Sequence, residues 1–154
     1  MSTRFTEGDL FTFDGDAIAH GVNCAGAMGK GIAIEFKKRY PRMFKIYWDL
    51  CNKRQLQVGD CFRFNGKVQG KGWFIYNLAI KEHWADNANF LGLKTAVLDM
   101  IMHAEDYGIK SIGVPRIGAG LGNLPWKTVR AYLAIVGEAT SVELVVYERW
   151  VKDA

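Results

Sequence analysis

Short apolar runs alternate with longer amphipathic stretches along this chain. The runs are rich in branched and aromatic residues, which is typical of buried strands. The turn-forming Asp14-Gly15-Asp16 precedes the first run, and Asn65-Gly66 with the glycines at 70 and 72 separates two later ones. The pattern predicts strands at residues 17–23, 60–64, 73–80, 111–114 and 142–147.

The clearest amphipathic stretch predicts a helix over residues 90–107. Its apolar positions recur at steps of three and four, as one buried helix face requires. Either Asn87 or Asn89 fits the N-terminal cap, and Gly108 fits the C-terminal cap.

Three other segments have helical patterns. A helix that starts after the glycine at 31 is interrupted by Pro41, because proline breaks a helix interior. Residues 41–52 predict the next helix, which has one apolar face. Pro125 fits the first turn of a helix that ends at Glu138.

The order of these elements favours an α/β fold. Strands that alternate with helices form a largely parallel sheet covered by helices on both faces. The length of 154 residues fits one domain, so we expect a single domain over residues 1–154. With 49% hydrophobic and 23% charged residues, the composition is that of a globular protein.

Net charge, apolar stretches and cysteine content indicate the kind of partner and the cellular compartment. The formal net charge of +4 weakly favours anionic partners, but the basic residues are dispersed and mark no nucleic-acid groove. No apolar stretch approaches the ~18 residues that span a bilayer, and residues 1–10 are too polar for a signal peptide. Three cysteines match neither a metal knuckle nor a disulfide framework. We therefore expect a cytoplasmic protein without membrane association.

Two glycine-rich loops, residues 26–31 and 118–122, carry the candidate chemistry. Each follows a predicted strand and precedes a predicted helix, which is where open α/β sheets bind ligands. Glycine lets main-chain N–H groups approach phosphate oxygens closely. Neither loop matches a P-loop or the dinucleotide pattern GxGxxG. The pair predicts a cleft that holds a diphosphate from both sides, and tight turns without a ligand are the alternative.

Four segments together resemble the macrodomain family. They are Gly8-Asp9-Leu10, the stretch from Val22-Asn23-Cys24 through Met28-Gly29-Lys30-Gly31-Ile32-Ala33, the segment Pro115-Arg116-Ile117-Gly118-Ala119-Gly120-Leu121, and Val145-Val146-Tyr147. They are most similar to the branch that contains the terminal ADP-ribose protein glycohydrolase and the antitoxin that removes ADP-ribose from DNA. The resemblance implies a three-layer α/β/α sandwich with a mixed, largely parallel central sheet. It also implies a cleft that binds ADP-ribose without a metal or another cofactor.

The resemblance also implies a set of ligand contacts. Asp9 would accept a hydrogen bond from the adenine amino group, the main chain of Leu10 would contact the ring, and Tyr147 would lie against it. The other implied ligand-binding residues are Asn23, Gly26, Met28, Gly29, Lys30, Gly31 and Ile32 near the distal ribose and diphosphate, and Arg116, Ile117, Gly118, Ala119, Gly120, Leu121 and Gly122 on the other side of the phosphates. Taken alone, Asp9 fits a turn cap, Tyr147 a core residue and Asn23 a buried strand end.

Lys81 is the implied catalytic residue. In the glycohydrolases of this branch, a lysine at the matching place attacks the anomeric carbon of the distal ribose, which requires a neutral amine. The protein glycohydrolase has a second catalytic residue, an aspartate, where this chain has Gly122. Glu82 and His83 follow Lys81 and could assist it, and strand alternation would point His83 the same way as Lys81 and Glu82 away. A position on the rim of the site is the favoured interpretation of His83. A solvated lysine is the alternative.

These residues predict an ADP-ribosyl hydrolase that removes ADP-ribose from modified protein or nucleic acid. A reader that binds ADP-ribose without turnover is one alternative, favoured by the missing acid at Gly122. A hydrolase of small derivatives, such as O-acetyl-ADP-ribose or ADP-ribose 1″-phosphate, is another. The expected partners are ADP-ribose and an ADP-ribosylated macromolecule, and we expect the chain to be a monomer.

Overall fold

A computed structural model describes residues 2–68 and 71–154, for residues 67, 68 and 71–73 the backbone alone. The predicted turn glycine at position 70 lies outside the described residues. The strands are β1 (Thr3–Gly8), β2 (Ala17–Asn23), β3 (Cys61–Val68), β4 (Lys71–Lys81), β5 (Ser111–Pro115) and β6 (Glu143–Trp150). The helices are α1 (Ala33–Arg39), α2 (Pro41–Asn52), α3 (Phe90–Asp106) and α4 (Trp126–Glu138), with a 3₁₀ turn at Leu10–Thr12.

The described strands form one mixed sheet in the order β1-β6-β5-β2-β4-β3. Strands β1, β6, β5, β2 and β4 are parallel to one another, and β3 pairs antiparallel with β4 at one edge. The predicted largely parallel sheet is confirmed. Because parallel strands end at the same edge, the segments that follow β1, β5, β2 and β4 meet there.

Helices cover both faces of this sheet. Ala17 and Ala19 of β2 belong to a core with Leu93 of α3 and Leu133 of α4. Ile18, between them, belongs to the other core, which includes residues of α1 and α2. This alternation follows from the two-residue period of a strand. The three-layer α/β/α arrangement is thus confirmed.

Two local predictions differ from the structure. Asn65 and Gly66 do not turn: they lie inside β3, opposite Phe74 and the backbone of residue 73 in β4. The long antiparallel pairing with β4 extends the strand through a dipeptide that favours turns locally. Strand β1 was not predicted, because its sequence is polar and its residues are only partly buried, as is usual at a sheet edge.

The ends of α3 agree with its predicted caps. The Asn89 side chain accepts a hydrogen bond from the backbone N–H of Gly92 at 2.8 Å, so Asn89 is the cap and Asn87 is not. Gly108 follows the helix with a φ of +69°, which glycine adopts without strain. None of the described helices combines the length and the apolar character that a membrane crossing needs.

Candidate functional site

A cavity of about 460 Å³ opens where the strand ends meet, and both glycine-rich loops line it. The Cβ position of Gly31 in the first loop lies 3.8 Å from Cδ1 of Leu121 in the second, so the two loops face each other. The end of β4 supplies Ile80 and Lys81, and the segment after it supplies Trp84. The strand ends therefore enclose one site.

The cavity brings together most of the predicted site residues. Those that line it are Asn23, Met28, Gly29, Lys30, Gly31, Ile32, Lys81, Arg116, Ile117, Gly118, Gly120, Leu121 and Gly122. The predicted residues that do not line it are Asp9, Leu10, Gly26, Ala119 and Tyr147.

Asn23 organises the first loop. Its Oδ1 accepts hydrogen bonds from the backbone N–H groups of Ala25 and Ala27 at 3.0 and 3.3 Å, and its Nδ2 donates to the Ala27 carbonyl at 2.9 Å. The hydroxyl of Tyr47 in α2 lies 2.6 Å from the Asn23 carbonyl oxygen and 2.9 Å from Oδ1. Burial raises the pKa of this phenol, so Tyr47 keeps the proton it donates. Asn23 and Tyr47 thus hold the loop in shape.

The second loop needs glycine for two different reasons. Gly118 has a φ of +74°, and a Cβ there would lie 2.8 Å from Leu93 Cδ1. A Cβ on Gly122 would lie 2.6 Å from the carbonyl oxygen of Gly118 and 2.8 Å from Ala88 Cβ. The Gly122 carbonyl also accepts a hydrogen bond from the Ala88 N–H at 2.8 Å. Position 122 thus has no room for a side chain unless its neighbours move.

Lys81 ends β4 with only 9% of its surface exposed. Its Nζ donates a hydrogen bond to the Trp84 carbonyl at 3.1 Å. Burial lowers the pKa of the Lys81 ammonium from its ordinary value, and the nearby Asp86 carboxylate acts in the opposite direction. A buried amine with a lowered pKa is the form that a nucleophilic lysine requires.

The residues after Lys81 do not continue its strand. The chain bends at Glu82 and His83, so the alternation expected beyond Lys81 does not apply. Neither residue lines the cavity. His83 instead takes part in a turn: its Nδ1 accepts a hydrogen bond from the backbone N–H of Ala85 at 3.1 Å.

Asp9 follows β1 at the same edge of the sheet and is 2% exposed. Its carboxylate accepts hydrogen bonds from the Phe11 N–H at 3.0 Å, the Trp150 indole N–H at 3.0 Å and the Asp153 N–H at 2.9 Å. Burial opposes the charge, but these donors outweigh it and lower the pKa of Asp9. Asp9 is the N-terminal cap of the 3₁₀ turn at Leu10–Thr12, as the turn-cap alternative expected.

Residues 150–153 pack against the turn that contains Asp9. Besides the bonds from Trp150 and Asp153 to Asp9, Lys152 forms an ion pair with Glu35 of α1 at 2.8 Å. Residues 150–153 therefore connect the turn after β1 to the helix that follows the first glycine loop.

Tyr147 lies in β6, next to β1, and is buried. Its ring packs edge-on against Phe13 with centroids 6.3 Å apart. The Cβ position of Gly8 lies 3.7 Å from Tyr147 Cε2, which brings the ring close to the Asp9 turn. Tyr147 is thus a core residue, and it lies close to Asp9 at the β1 side of the sheet.

Metal-ligating side chains form no cluster of three or more in residues 2–68 and 71–154. Cys24, Cys51 and Cys61 are free thiols. Burial raises the pKa of Cys24 and of Cys61 to about 12, so both thiols are protonated at neutral pH.

Sequence reasoning missed two residues of this site. Tyr47 lies within the helix predicted for residues 41–52, on its apolar face, and no local pattern pairs its hydroxyl with Asn23. The sequence did contain a signal for Trp84, because this large aromatic residue lies three positions after Lys81 in a segment whose other residues are polar, charged or alanine.

Several known proteins are similar in sequence to this chain over most of its length. A family model described as Macro domain matches residues 19–133. The DNA ADP-ribosyl glycohydrolase of Mycobacterium tuberculosis is 34% identical over 145 residues, which are 93% of this chain and 41% of that protein. The human ADP-ribose glycohydrolase OARD1 is 29% identical over 93% of this chain and 89% of that protein. The chain thus spans less than half the length of the bacterial relative.

Among solved structures, the macrodomain of Thermus aquaticus DarG superposes with a TM-score of 0.86 and 31% identity. The match covers 95% of this chain and 97% of that one. The fold and the sequence agree, and the chain belongs to the macrodomain family.

Proposed function

We propose that this macrodomain binds the ADP-ribosyl group along the carboxyl edge of its sheet and hydrolyses the bond at the anomeric carbon of the distal ribose. The order of the strands carries this proposal. Asp9 follows β1, Tyr147 lies in β6, the second loop follows β5, the first loop follows β2, and Lys81 ends β4. Neighbouring strands lie about 4.8 Å apart, so these groups extend over roughly 19 Å in one line.

The ligand lies along this line with adenine at the β1 end. A carboxylate offers about four acceptor positions, and three donors occupy Asp9, so one position on Oδ2 accepts the adenine amino group. The main chain of Leu10 and the ring of Tyr147 contact the base. Main-chain N–H groups of both glycine loops bind the diphosphate. The distal ribose then lies between the first loop and Lys81.

Lys81 acts as the nucleophile. Its neutral amine donates an electron pair to the anomeric carbon and forms a bond to it. The bond from this carbon to the leaving group breaks, and its electron pair passes to the leaving group, which also takes up the proton that the attacking nitrogen loses. Water hydrolyses the resulting adduct, which regenerates the amine and releases ADP-ribose. The burial of Lys81 supports this role, because it lowers the pKa of the ammonium group and so increases the fraction of neutral amine.

Lys81→Ala tests the mechanism. Wild type is expected to release ADP-ribose from an ester-linked protein or from modified nucleic acid, and the variant is expected to lose this release by about 100-fold or more, the usual order for a catalytic group. Calorimetry with free ADP-ribose is the control, since the variant should still bind it. Equal release by both proteins would show that Lys81 is not the nucleophile.

A reader without turnover is the second candidate, and the closed space at Gly122 favours it. Without a side chain there, the second loop supplies no acid or base. Tight binding of ADP-ribose with no release from ester-linked protein, modified nucleic acid or small derivatives would select the reader.

We also propose that the protein acts as a cytoplasmic monomer. Its three free thiols fit a reducing compartment. Light scattering of the purified protein, and fractionation of cells that express it, test the two parts of this proposal.

A further inference from the structure

The two oxygens of the Asp9 carboxylate differ in how many hydrogen bonds they already accept. Oδ1 accepts from the Phe11 N–H and from the Trp150 indole N–H, each at 3.0 Å. Oδ2 accepts from the Asp153 N–H at 2.9 Å. A carboxylate oxygen offers about two acceptor positions. The positions on Oδ1 are therefore both taken, and Oδ2 keeps one for a ligand.

Trp150 is the side chain that completes this arrangement, since the other two donors are backbone groups. It ends β6 and pairs with Gly8, the residue before Asp9. The next residue, Val151, donates its N–H to the Gly8 carbonyl at 2.8 Å. The Trp150 ring packs edge-on against Phe11 with centroids 6.1 Å apart. Strand pairing and ring packing thus fix the direction of the indole N–H.

The same donors keep Asp9 ionised. Burial raises the pKa of this carboxyl, and the hydrogen bond from Trp150 is the strongest of the effects that lower it. The N–H groups of Asp153 and Phe11 and the positive charge of Arg39 in α1 act in the same direction, and the net effect is a lowered pKa. An ionised carboxylate accepts hydrogen bonds and donates none. The free position on Oδ2 therefore takes a donor from the ligand.

We infer that Trp150 is a positioning residue that makes the site selective for a purine with an amino group at C6. The inference rests on the proposed place of adenine beside Asp9. A carboxylate held in one orientation, with one free acceptor position, matches the amino group of adenine. Hypoxanthine has a carbonyl oxygen in place of that group, so two acceptors would face each other.

Loss of the indole N–H would change what the carboxylate can do. Oδ1 would gain a free position, and the carboxylate would lose the only side-chain contact that we find fixing its rotation among the described residues. It could then turn toward the N1–H of hypoxanthine, which lies beside the carbonyl of that base. The preference for adenine would fall more than the affinity for purines in general.

Calorimetry of the whole chain with ADP-ribose and with its hypoxanthine analogue, inosine diphosphate ribose, is the test. Wild type should prefer ADP-ribose by at least about 10-fold, the usual order for a hydrogen bond to a charged group. Trp150→Phe keeps an aromatic ring beside Phe11 and removes the N–H donor. This variant should reduce the preference to about threefold or less, because the carboxylate no longer has a fixed orientation.

Trp126→Phe is the matched control. Trp126 begins α4, and its indole N–H also donates to a carboxylate oxygen, that of Glu148, at 3.0 Å. Trp126 does not line the cavity. The control removes the same kind of hydrogen bond away from the site, so it should leave the preference for ADP-ribose unchanged. Melting temperatures of both variants record any loss of stability separately from selectivity.

Three outcomes would overturn the inference. These are an unchanged preference in Trp150→Phe, an equal loss of affinity for both ligands in that variant, and an equal fall in preference in Trp126→Phe. Wild type that binds both ligands equally well would also overturn it, while the proposed binding of ADP-ribose would stand. Wild type that shows the expected preference and releases no ADP-ribose from modified substrates would refute the hydrolase proposal and keep the role of Trp150.

Discussion

Gly120 and Gly122 lie in the same loop, but only at Gly122 would a side chain collide with its neighbours. Replacing each residue by alanine tests this difference. Neither residue has a φ in the left-handed region, so the comparison depends on space alone. A Cβ on Gly120 meets no atom within 4 Å, whereas a Cβ on Gly122 lies 2.6 Å from the Gly118 carbonyl oxygen and 2.8 Å from Ala88. The carbonyl is backbone, so it cannot rotate away as a flexible side chain would.

The expected cost follows from this contact. Overpacking of this kind costs about 1–3 kcal/mol of the free energy of unfolding. For a domain of this size, that corresponds to a melting temperature lower by roughly 3–10 °C. Gly120→Ala should change stability little or raise it by up to about 1 kcal/mol, because alanine restricts the unfolded chain.

Thermal unfolding of both variants beside wild type is the assay. Gly122→Ala should melt below wild type and Gly120→Ala should not. Gly122→Asp should be less stable still and should not increase ADP-ribose release, since the carboxylate has no space to enter the site. If Gly122→Ala melts together with wild type, or both alanine variants lose the same stability, the steric argument is wrong.

Three further predictions concern buried groups. His20 is fully buried, and burial lowers its pKa from 6.5 to about 4, so only the unfolded state binds the proton between these values. The contribution of His20 to the free energy of unfolding is therefore complete above pH 6.5 and falls by about 3 kcal/mol as the pH drops toward 4. Chemical denaturation of His20→Gln, whose side chain can still donate to Asn77, should show no such fall. Curves of unfolding free energy against pH that run parallel for variant and wild type would contradict the prediction. Tyr47→Phe removes the donor to the Asn23 carbonyl, so denaturation should show a loss of about 1–3 kcal/mol and calorimetry a weaker affinity for ADP-ribose; unchanged values would dismiss the role of the hydroxyl. The pH profile of kcat/KM should rise as Lys81 deprotonates and level off below pH 10.5, the ordinary lysine value, because its pKa is lowered; a plateau reached only above that pH would argue against a buried amine.

Local patterns predicted the central elements because those elements obey local rules. The predicted bounds of the helix over residues 41–52 agree with α2, where proline starts the helix and one face is buried. The run at residues 17–23 agrees with β2, which is buried between two parallel neighbours. The edge strands were harder to predict. Strand β1 lacks a continuous apolar pattern, and β3 contains Asn65-Gly66, a dipeptide that favours a turn locally but pairs with β4.

The site likewise has parts that local sequence predicts and parts that depend on contacts between separate elements. Both glycine loops and Lys81 lie where strand ends predict a ligand, and the cavity brings them together. The support behind the first loop was not visible in the sequence, because Tyr47 and Asn23 are 24 positions apart and meet only when α2 packs on the sheet. The reason for glycine at position 122 was not visible in the sequence either. The sequence shows that an acid is missing there, and the structure shows that the Gly118 carbonyl occupies the space that a side chain at position 122 would need.

The contacts of residues 150–153 with Asp9 and Glu35 have a practical consequence for handling the protein. A purification tag or fusion partner joined to Ala154 begins beside the turn that we assign to adenine. Tension on that junction would pull the donors of Trp150 and Asp153 away from the Asp9 carboxylate. Strand β1 ends at Gly8, next to Asp9, so its first residue, Thr3, lies at the opposite edge of the sheet. Affinity measurements should therefore carry the tag on the amino-terminal side.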